Sequence, residues 1–261
     1  MKYRFIDLFA GAGGLSEGFI RAGYEAIAHI EMDHYACDTL KTRAAFHYLK
    51  ENEKLDIYED YLKSKKEKTD GSWLWNQVPK HVIDSVIQEA IGKETLPSLF
   101  ERVDKLCNGK PIDIIIGGPP CQAYSVAGRA RLGKKIEEDP RNDLYKFYVE
   151  FLKRYRPKMF VFENVLGILT AKGGEPFRDL IRLVRELDYD IDFREQIASQ
   201  HGVLQKRHRV IIVGWQNKRD TQENTSYHYP YLLEEQMPYK IMKDLFCDLP
   251  IIKAGEGTLC G

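Results

Sequence analysis

With 261 residues, the chain is long enough to bury a substantial core in one large domain or slightly more. Hydrophobic residues at 43% and charged residues at 30% exclude a disordered or low-complexity chain, and no apolar run is long enough to span a bilayer. Lys plus Arg and Asp plus Glu both total 39, so any surface for a polyanion has to be local. In chain order, YRFIDLF (3–9) reads as a strand and is followed by a helix over 15–22. EAIAHI (25–30) is a second strand, with a helix over 34–49 after it. IDIIIG (112–117) and KMFVFE (158–163) are two further strands, separated by the amphipathic helix DLYKFYVEFLKRY (143–155). FRDLIRLVREL (177–187) is helical, and IDFREQIAS (191–199) and RVIIVGW (209–215) form a closing pair of strands. Alternation of this kind predicts an α/β fold with a doubly wound, mostly parallel sheet.

Two regions break the alternation. Residues 50–109 are rich in Lys and Glu, mostly helical in pattern, and too long for an ordinary connection of ~2–6 residues, so they are expected to be a helical insertion. After Trp215 the alternation is lost, and 221–261 is expected to begin a second region. The amino terminus MKYRFIDLFAGAGG enters a strand at once, without the layout of a signal peptide. The five cysteines (Cys37, Cys107, Cys121, Cys247, Cys260) are scattered, and no CxxC pair suggests zinc. That usage fits a reducing compartment, and a cytoplasmic location is expected.

DLFAGAGG (7–14) joins the first strand to the first helix. Gly11, Gly13 and Gly14 permit positive φ and let the backbone approach a ligand closely at the helix amino terminus. Glu31 closes the second strand twenty residues after Gly11, a spacing that suits a carboxylate accepting hydrogen bonds from ribose hydroxyls. The pairing indicates an adenosine-type cofactor. The third glycine follows the second immediately, unlike the G-x-G-x-x-G of dinucleotide sites, which favours a nucleoside cofactor without a pyrophosphate, such as S-adenosylmethionine. A glycine turn serving only tight packing is the plainer alternative.

GGPPCQAYS (117–125) leaves an apolar strand through two glycines and two prolines and presents Cys121 on a stiff corner. That corner falls at the carboxyl edge of the sheet, where open α/β folds bind ligands. Cys121 reads either as a nucleophile there or as a small buried thiol. FENV (162–165) puts Glu163 at another strand end, where a partly buried carboxyl could carry a proton or could merely cap the next helix. QKRHR (205–209) places Arg207 and Arg209 two apart, so that in extended chain both side chains share a face. A solvated basic loop is the alternative for that run.

DLFAGAGG, GGPPCQ, ENV and QKRHR, in this order, resemble motifs I, IV, VI and VIII of the DNA (cytosine-5)-methyltransferases, over about Tyr3 to Trp215. The resemblance implies a Rossmann-like methyltransferase fold and S-adenosyl-L-methionine as cofactor, with S-adenosyl-L-homocysteine as product. It implies that Cys121 is the nucleophile, that Glu163 engages the base, and that Arg207 and Arg209 position cytosine and cysteine. Phe9, Ala10, Gly11, Gly13, Gly14, Leu15, Glu31, Met32, Pro119 and Leu144 fall where cofactor contacts are expected. Asp56 is the candidate for the adenine-contacting acid of motif III.

On this reading the chain methylates C5 of cytosine in double-stranded DNA, as a restriction-modification or orphan methylase. The base must be flipped from the duplex. The charged stretch SVAGRARLGKKIEEDPRND (125–143) is expected to close over it, with Arg129, Arg131, Lys134 and Lys135 meeting phosphates. A tRNA cytosine substrate is the second reading. The third is an incomplete cofactor-binding subunit that needs a C-terminal target-recognition region or a second polypeptide, because the family places that region beyond motif VIII.

Overall fold

A computed structural model describes residues 2–64, 71–120, 143–217, 229–230, 247 and 249–250. Its framework is a seven-stranded sheet: β1 (Arg4–Leu8), β2 (Glu25–Glu31), β3 (Val86–Gln88), β4 (Ile114–Gly117), β5 (Met159–Asn164), β6 (Tyr189–Ile197) and β7 (His208–Gln216). The spatial order is β3-β2-β1-β4-β5-β7-β6. Strands β1 to β5 pair in parallel and β7 runs antiparallel to β5. Every residue of β1 and β4 is buried, as expected for strands covered on both faces.

The strand order reverses between β1 and β4, and their register sets Leu8 opposite Gly117. The glycine turn and the GGPP corner therefore leave the sheet side by side, at the switch point where open α/β sheets form a crevice. The helices are α1 (Gly14–Arg21), α2 (His34–Glu51), α3 (Leu55–Lys63), α4 (Ser72–Trp75), α5 (Lys80–Asp84), α6 (Leu96–Cys107), α7 (Leu144–Tyr155) and α8 (Glu175–Glu186). The largest core cluster joins Ile6, Leu8, Ile30, Phe160 and Phe162 to Tyr148, Phe151 and Leu152 of α7 and to Leu180 and Val184 of α8. The Tyr148 hydroxyl lies 3.0 and 3.1 Å from the carbonyls of Ile115 and Val161, so the helix also ties β4 to β5.

The expected insertion at 50–109 is corrected here, because it contains part of the framework. Val86–Gln88 is the edge strand of the sheet, with Ile30 opposite Ile87 and Glu31 opposite Gln88. Helix α6 buries Leu99, Val103 and Cys107. A three-residue strand in a Lys/Glu-rich setting has too few positions to show a period, and its pairing is fixed by β2 rather than by its own sequence. The helical part is real: Leu49, Leu74 and Val78 form a separate small cluster with Trp73 and Trp75 packed against it.

The chain divides into two compact units, one of Met1–Glu195 and Arg209–Tyr229, the other of Gln196–His208 and Pro230–Gly261. In the second, the Ala198 amide donates to the Arg207 carbonyl at 2.9 Å, and His201 Nε2 lies 2.9 Å from Gln196 Oε1. No helix among the described residues is long and apolar enough to cross a membrane.

Candidate active site

The turn after β1 is built from left-handed backbone. Phe9, Gly11 and Gly13 have φ of 56°, 53° and 86°. For Phe9, a bulky residue, this conformation is strained and is held by packing of its ring against the main core. Gly13 caps α1, and a Cβ there would come within 2.9 Å of Leu40 Cδ2. Ala10 is buried with Cys37, Leu40 and Val86, Gly14 opens α1, and Leu15 packs in the cluster that contains Phe5.

Glu31 fixes this turn to β2. Its Oε2 accepts from the Gly11 amide at 2.8 Å, and its Oε1 accepts from the amides of Met32 and Asp33 at 2.8 and 2.9 Å. An ionised carboxylate offers about four acceptor positions, so acceptor capacity remains for a ribose hydroxyl. The acidic group, the glycine cradle and the start of α1 fit an adenosine cofactor. Met32, 66% exposed, stands beside them as an uncovered apolar side chain.

Strand β3 ends next to this carboxylate, with the Glu89 amide donating to the Glu31 carbonyl at 2.9 Å. Asp56 does not share that place. It is exposed in the first turn of α3, whereas Gln88 and Glu89 stand at the end of β3 beside Glu31. The signal for β3 in the sequence was the short apolar pair in DSVIQEA, easily lost among charged neighbours.

Glu31→Gln places an amide NH₂ against one of the three N–H donors. Loss of charge-assisted hydrogen bonds worth ~1.5–3 kcal/mol corresponds to roughly 10- to 100-fold weaker binding of S-adenosylhomocysteine. Calorimetric titration measures this, and unchanged affinity would remove Glu31 from the site.

The second half of the crevice lies at the ends of β4 and β5. A Cβ on Gly117 would sit 2.4 Å from the Leu8 carbonyl oxygen, and one on Gly118 would sit 2.6 Å from Glu163 Oε2. The glycines let β4 leave between its neighbours. Pro119 is buried, and its carbonyl accepts from Asn164 Nδ2 at 3.1 Å. Asn164 is 2% exposed, and its Oδ1 accepts from the Val165 amide at 2.9 Å.

Asn164 thus anchors the corner two residues before Cys121, a role the sequence reading did not assign. Alternation along β5 puts Asn164 and Glu163 on opposite faces, one gripping the corner and the other facing the crevice. Asn164→Asp removes the donor facing the Pro119 carbonyl while conserving shape. A loss of ~1–3 kcal/mol in urea unfolding is expected, and a smaller change would mean the contact is not formed.

Glu163 Oε1 accepts from Arg209 Nε at 2.6 Å, with both side chains about three-quarters buried. The antiparallel course of β7 makes this contact possible, because it brings the start of that strand to the edge where the parallel strands end. Arg207 is placed differently from its expected partner. It is exposed, belongs to the second unit, and precedes β7. Leu144 begins α7 and is half-buried. Cys121 and the basic residues Arg129, Arg131, Lys134 and Lys135 lie outside the described residues. Burial pushes the Cys37 thiol up to about 11, with Glu31 adding to the shift, and burial also raises Cys107. Neither of these buried thiols is poised as a thiolate.

A doubly wound sheet with a glycine cradle, an acidic ribose-type acceptor and a glycine–proline corner at its switch point has the Rossmann-like fold of S-adenosylmethionine-dependent methyltransferases. The family described as C-5 cytosine-specific DNA methylase matches residues 3–71 and 92–251. The chain belongs to that family. Residues 72–91, which carry α4, α5 and β3, fall in the gap of the match.

The type II methyltransferase M.Bpa9945I of Bacillus paralicheniformis is 32% identical over 97% of this chain and 62% of its own length. M.AquIA of Picosynechococcus sp. is 27% identical over 96% of this chain and 90% of its own length. A crystal structure of a prophage-encoded E. coli chain, described as a DNA modification methyltransferase, superposes with a TM-score of 0.59 at 27% identity. It covers 96% of this chain and 56% of that one. The chain therefore spans between about half and two thirds of the first curated relatives it matches, and nearly all of M.AquIA.

Proposed function

We propose that this chain transfers a methyl group from S-adenosylmethionine to C5 of cytosine in double-stranded DNA, as a cytoplasmic, site-specific methylase. The observation that carries the reading is Glu163, held by Arg209 at 2.6 Å against the corner that leads to Cys121. The family description, C-5 cytosine-specific DNA methylase, supports DNA as the substrate. The cofactor supplies a methyl group on a sulfonium centre, and Phe9, Gly11, Gly13, Glu31 and Met32 are the residues that would hold it.

The remaining steps belong to the protein. The Cys121 thiolate adds to C6 of a flipped-out cytosine, which makes C5 enamine-like and able to attack the methyl carbon. Glu163, as its acid, gives a proton to N3 and so offsets the negative charge pushed into the ring, while Arg209 keeps its carboxyl group aimed. A water molecule acting as base takes the C5 proton, the C6–S bond breaks to release the Cys121 thiolate, and N3 returns its proton to Glu163, which restores the aromatic ring. Arg207 and residues 125–143 are assigned to substrate contacts, and 221–261 to the start of a target-recognition region. Where that region is incomplete, a second polypeptide completes it.

Transfer of a tritiated methyl group tests this on duplex DNA and on tRNA. Label on DNA is expected. Label on tRNA alone would replace the substrate, and no label until a second polypeptide is added would make this chain a subunit.

A further inference from the structure

Beneath the glycine turn, Asp7 of β1 and His29 of β2 stand directly opposite each other, 1% and 4% exposed. Asp7 Oδ2 and His29 Nδ1 are 3.8 Å apart, beyond hydrogen-bonding distance, and neither atom has a hydrogen-bond partner among the described residues. Buried polar atoms are almost always satisfied, so two open ones facing each other call for an explanation. Both side chains lie on the face of the sheet that carries Glu31, which follows His29 by two positions. A cleft of about 430 Å³ between α1 and α2 reaches the His29 ring past Gly13, Ser16 and Leu40, and so gives water and protons a route to it.

We propose that His29, acting through Asp7 and Glu31, is a positioning residue for the nucleoside cofactor and makes its affinity depend on pH. The inference rests on the cofactor reading above. When the pair carries one shared proton, a hydrogen bond can close the 3.8 Å gap and tie β1 to β2 directly below the turn that Glu31 holds. When the proton leaves, a buried carboxylate remains on the face of Glu31, and the two like charges repel. Burial holds the Asp7 carboxyl above its usual range; His29 and Ser16 oppose that shift and Glu31 adds to it. The folded site therefore holds this proton more firmly than an exposed aspartate does. The sign follows: affinity is highest with the pair protonated and falls as pH rises through its titration.

Other ionisable groups face the pair from the packed elements. Glu17 of α1 is pushed up by partial burial, but Arg43, His47 and Arg21 pull it down to about 2, so it stays ionised throughout. The Tyr148 phenol of α7 is driven well above its usual value, first by burial and then by Asp7, and does not ionise in this range. His47 of α2 and His81 of α5 line the same cleft, and Lys2, Glu25, Glu51 and Lys105 lie along it as well. His47→Gln and His81→Gln are therefore the controls.

The test is calorimetric titration of S-adenosylhomocysteine, whose sulfur is uncharged, over the range in which imidazole ordinarily titrates, about pH 5 to 8. Wild-type affinity is expected to fall about fivefold with rising pH, at the low end of typical site–site coupling. His29→Asn and Asp7→Asn are expected to be flat, and the two controls to keep the wild-type slope. An unchanged slope in His29→Asn with binding intact overturns the inference alone, whereas no binding by wild type at any pH overturns the cofactor reading with it. Should the variants fail to fold, the wild-type His29 ring, assigned by NMR through its edge contact with Phe5, provides the readout. By reciprocity its titration midpoint rises on saturation with the ligand, and a fixed midpoint overturns the inference.

Discussion

Cys121→Ser is expected to lower methyl transfer to duplex DNA by at least about 10³-fold, the scale seen when a covalent nucleophile is lost, while S-adenosylhomocysteine affinity stays within about twofold. Cytosine C5 is too weak a nucleophile to attack a sulfonium methyl group unaided, so density must enter the ring at C6. A thiol with an ordinary pKa near ~8.5 supplies some thiolate at neutral pH, and a serine hydroxyl supplies essentially no alkoxide. The buried Cys37 and Cys107 offer no substitute, since burial raises both thiols. Separate filter-binding and calorimetric assays distinguish the roles. Equal loss of transfer and cofactor affinity would make Cys121 structural, and retained transfer would sink the covalent route. Duplex DNA carrying 5-fluorocytosine adds an independent check, because a C5 fluorine cannot leave as a proton does. Wild type should give a shifted band on a denaturing gel, and Cys121→Ser should give none.

The framework was legible wherever a strand is covered on both faces. RFIDL and IIIG announce themselves because burial, not pairing, dictates their composition, and MFVFEN alternates buried with half-buried positions under an apolar run. Strand β3 was not legible, since three residues at a sheet edge need satisfy only one neighbour. The glycine turn and Glu31 were readable because both roles depend on residue type: left-handed φ in one case, paired acceptor oxygens in the other.

Arg207 and Arg209 show where local rules stop. Their spacing of two says that they share a face only if both lie in extended chain, and β7 begins between them, at His208. Asn164 and His29 were overlooked for a common reason: each is a polar residue in an apolar strand, and its importance depends on what another strand presents to it. The visible trace was the interruption itself, an Asn closing MFVFEN and a His within EAIAHIE.

Gly118→Ala is expected to lower transfer by about 10²-fold or more, the loss that a displacement of about 1 Å in a catalytic group can produce. The added Cβ falls 2.6 Å from Glu163 Oε2 and 3.0 Å from the Glu163 carbonyl oxygen. The carboxylate is the freer of the two, so it swings away from the corner and strains its 2.6 Å contact with Arg209 Nε. Backbone adjustment of a few tenths of an ångström accommodates the rest, at ~1–3 kcal/mol of stability. Gly117→Ala, one residue earlier, behaves differently, because its Cβ would meet the Leu8 carbonyl at 2.4 Å inside the β1–β4 pairing, where no side chain can give way. Urea unfolding and cofactor titration therefore separate the pair: Gly117→Ala loses the fold, whereas Gly118→Ala keeps both fold and cofactor affinity and loses transfer. If Gly118→Ala transferred methyl groups at the wild-type rate, the orientation of Glu163 against the corner would not matter to the reaction, and the geometry on which the proposed chemistry depends would be incidental.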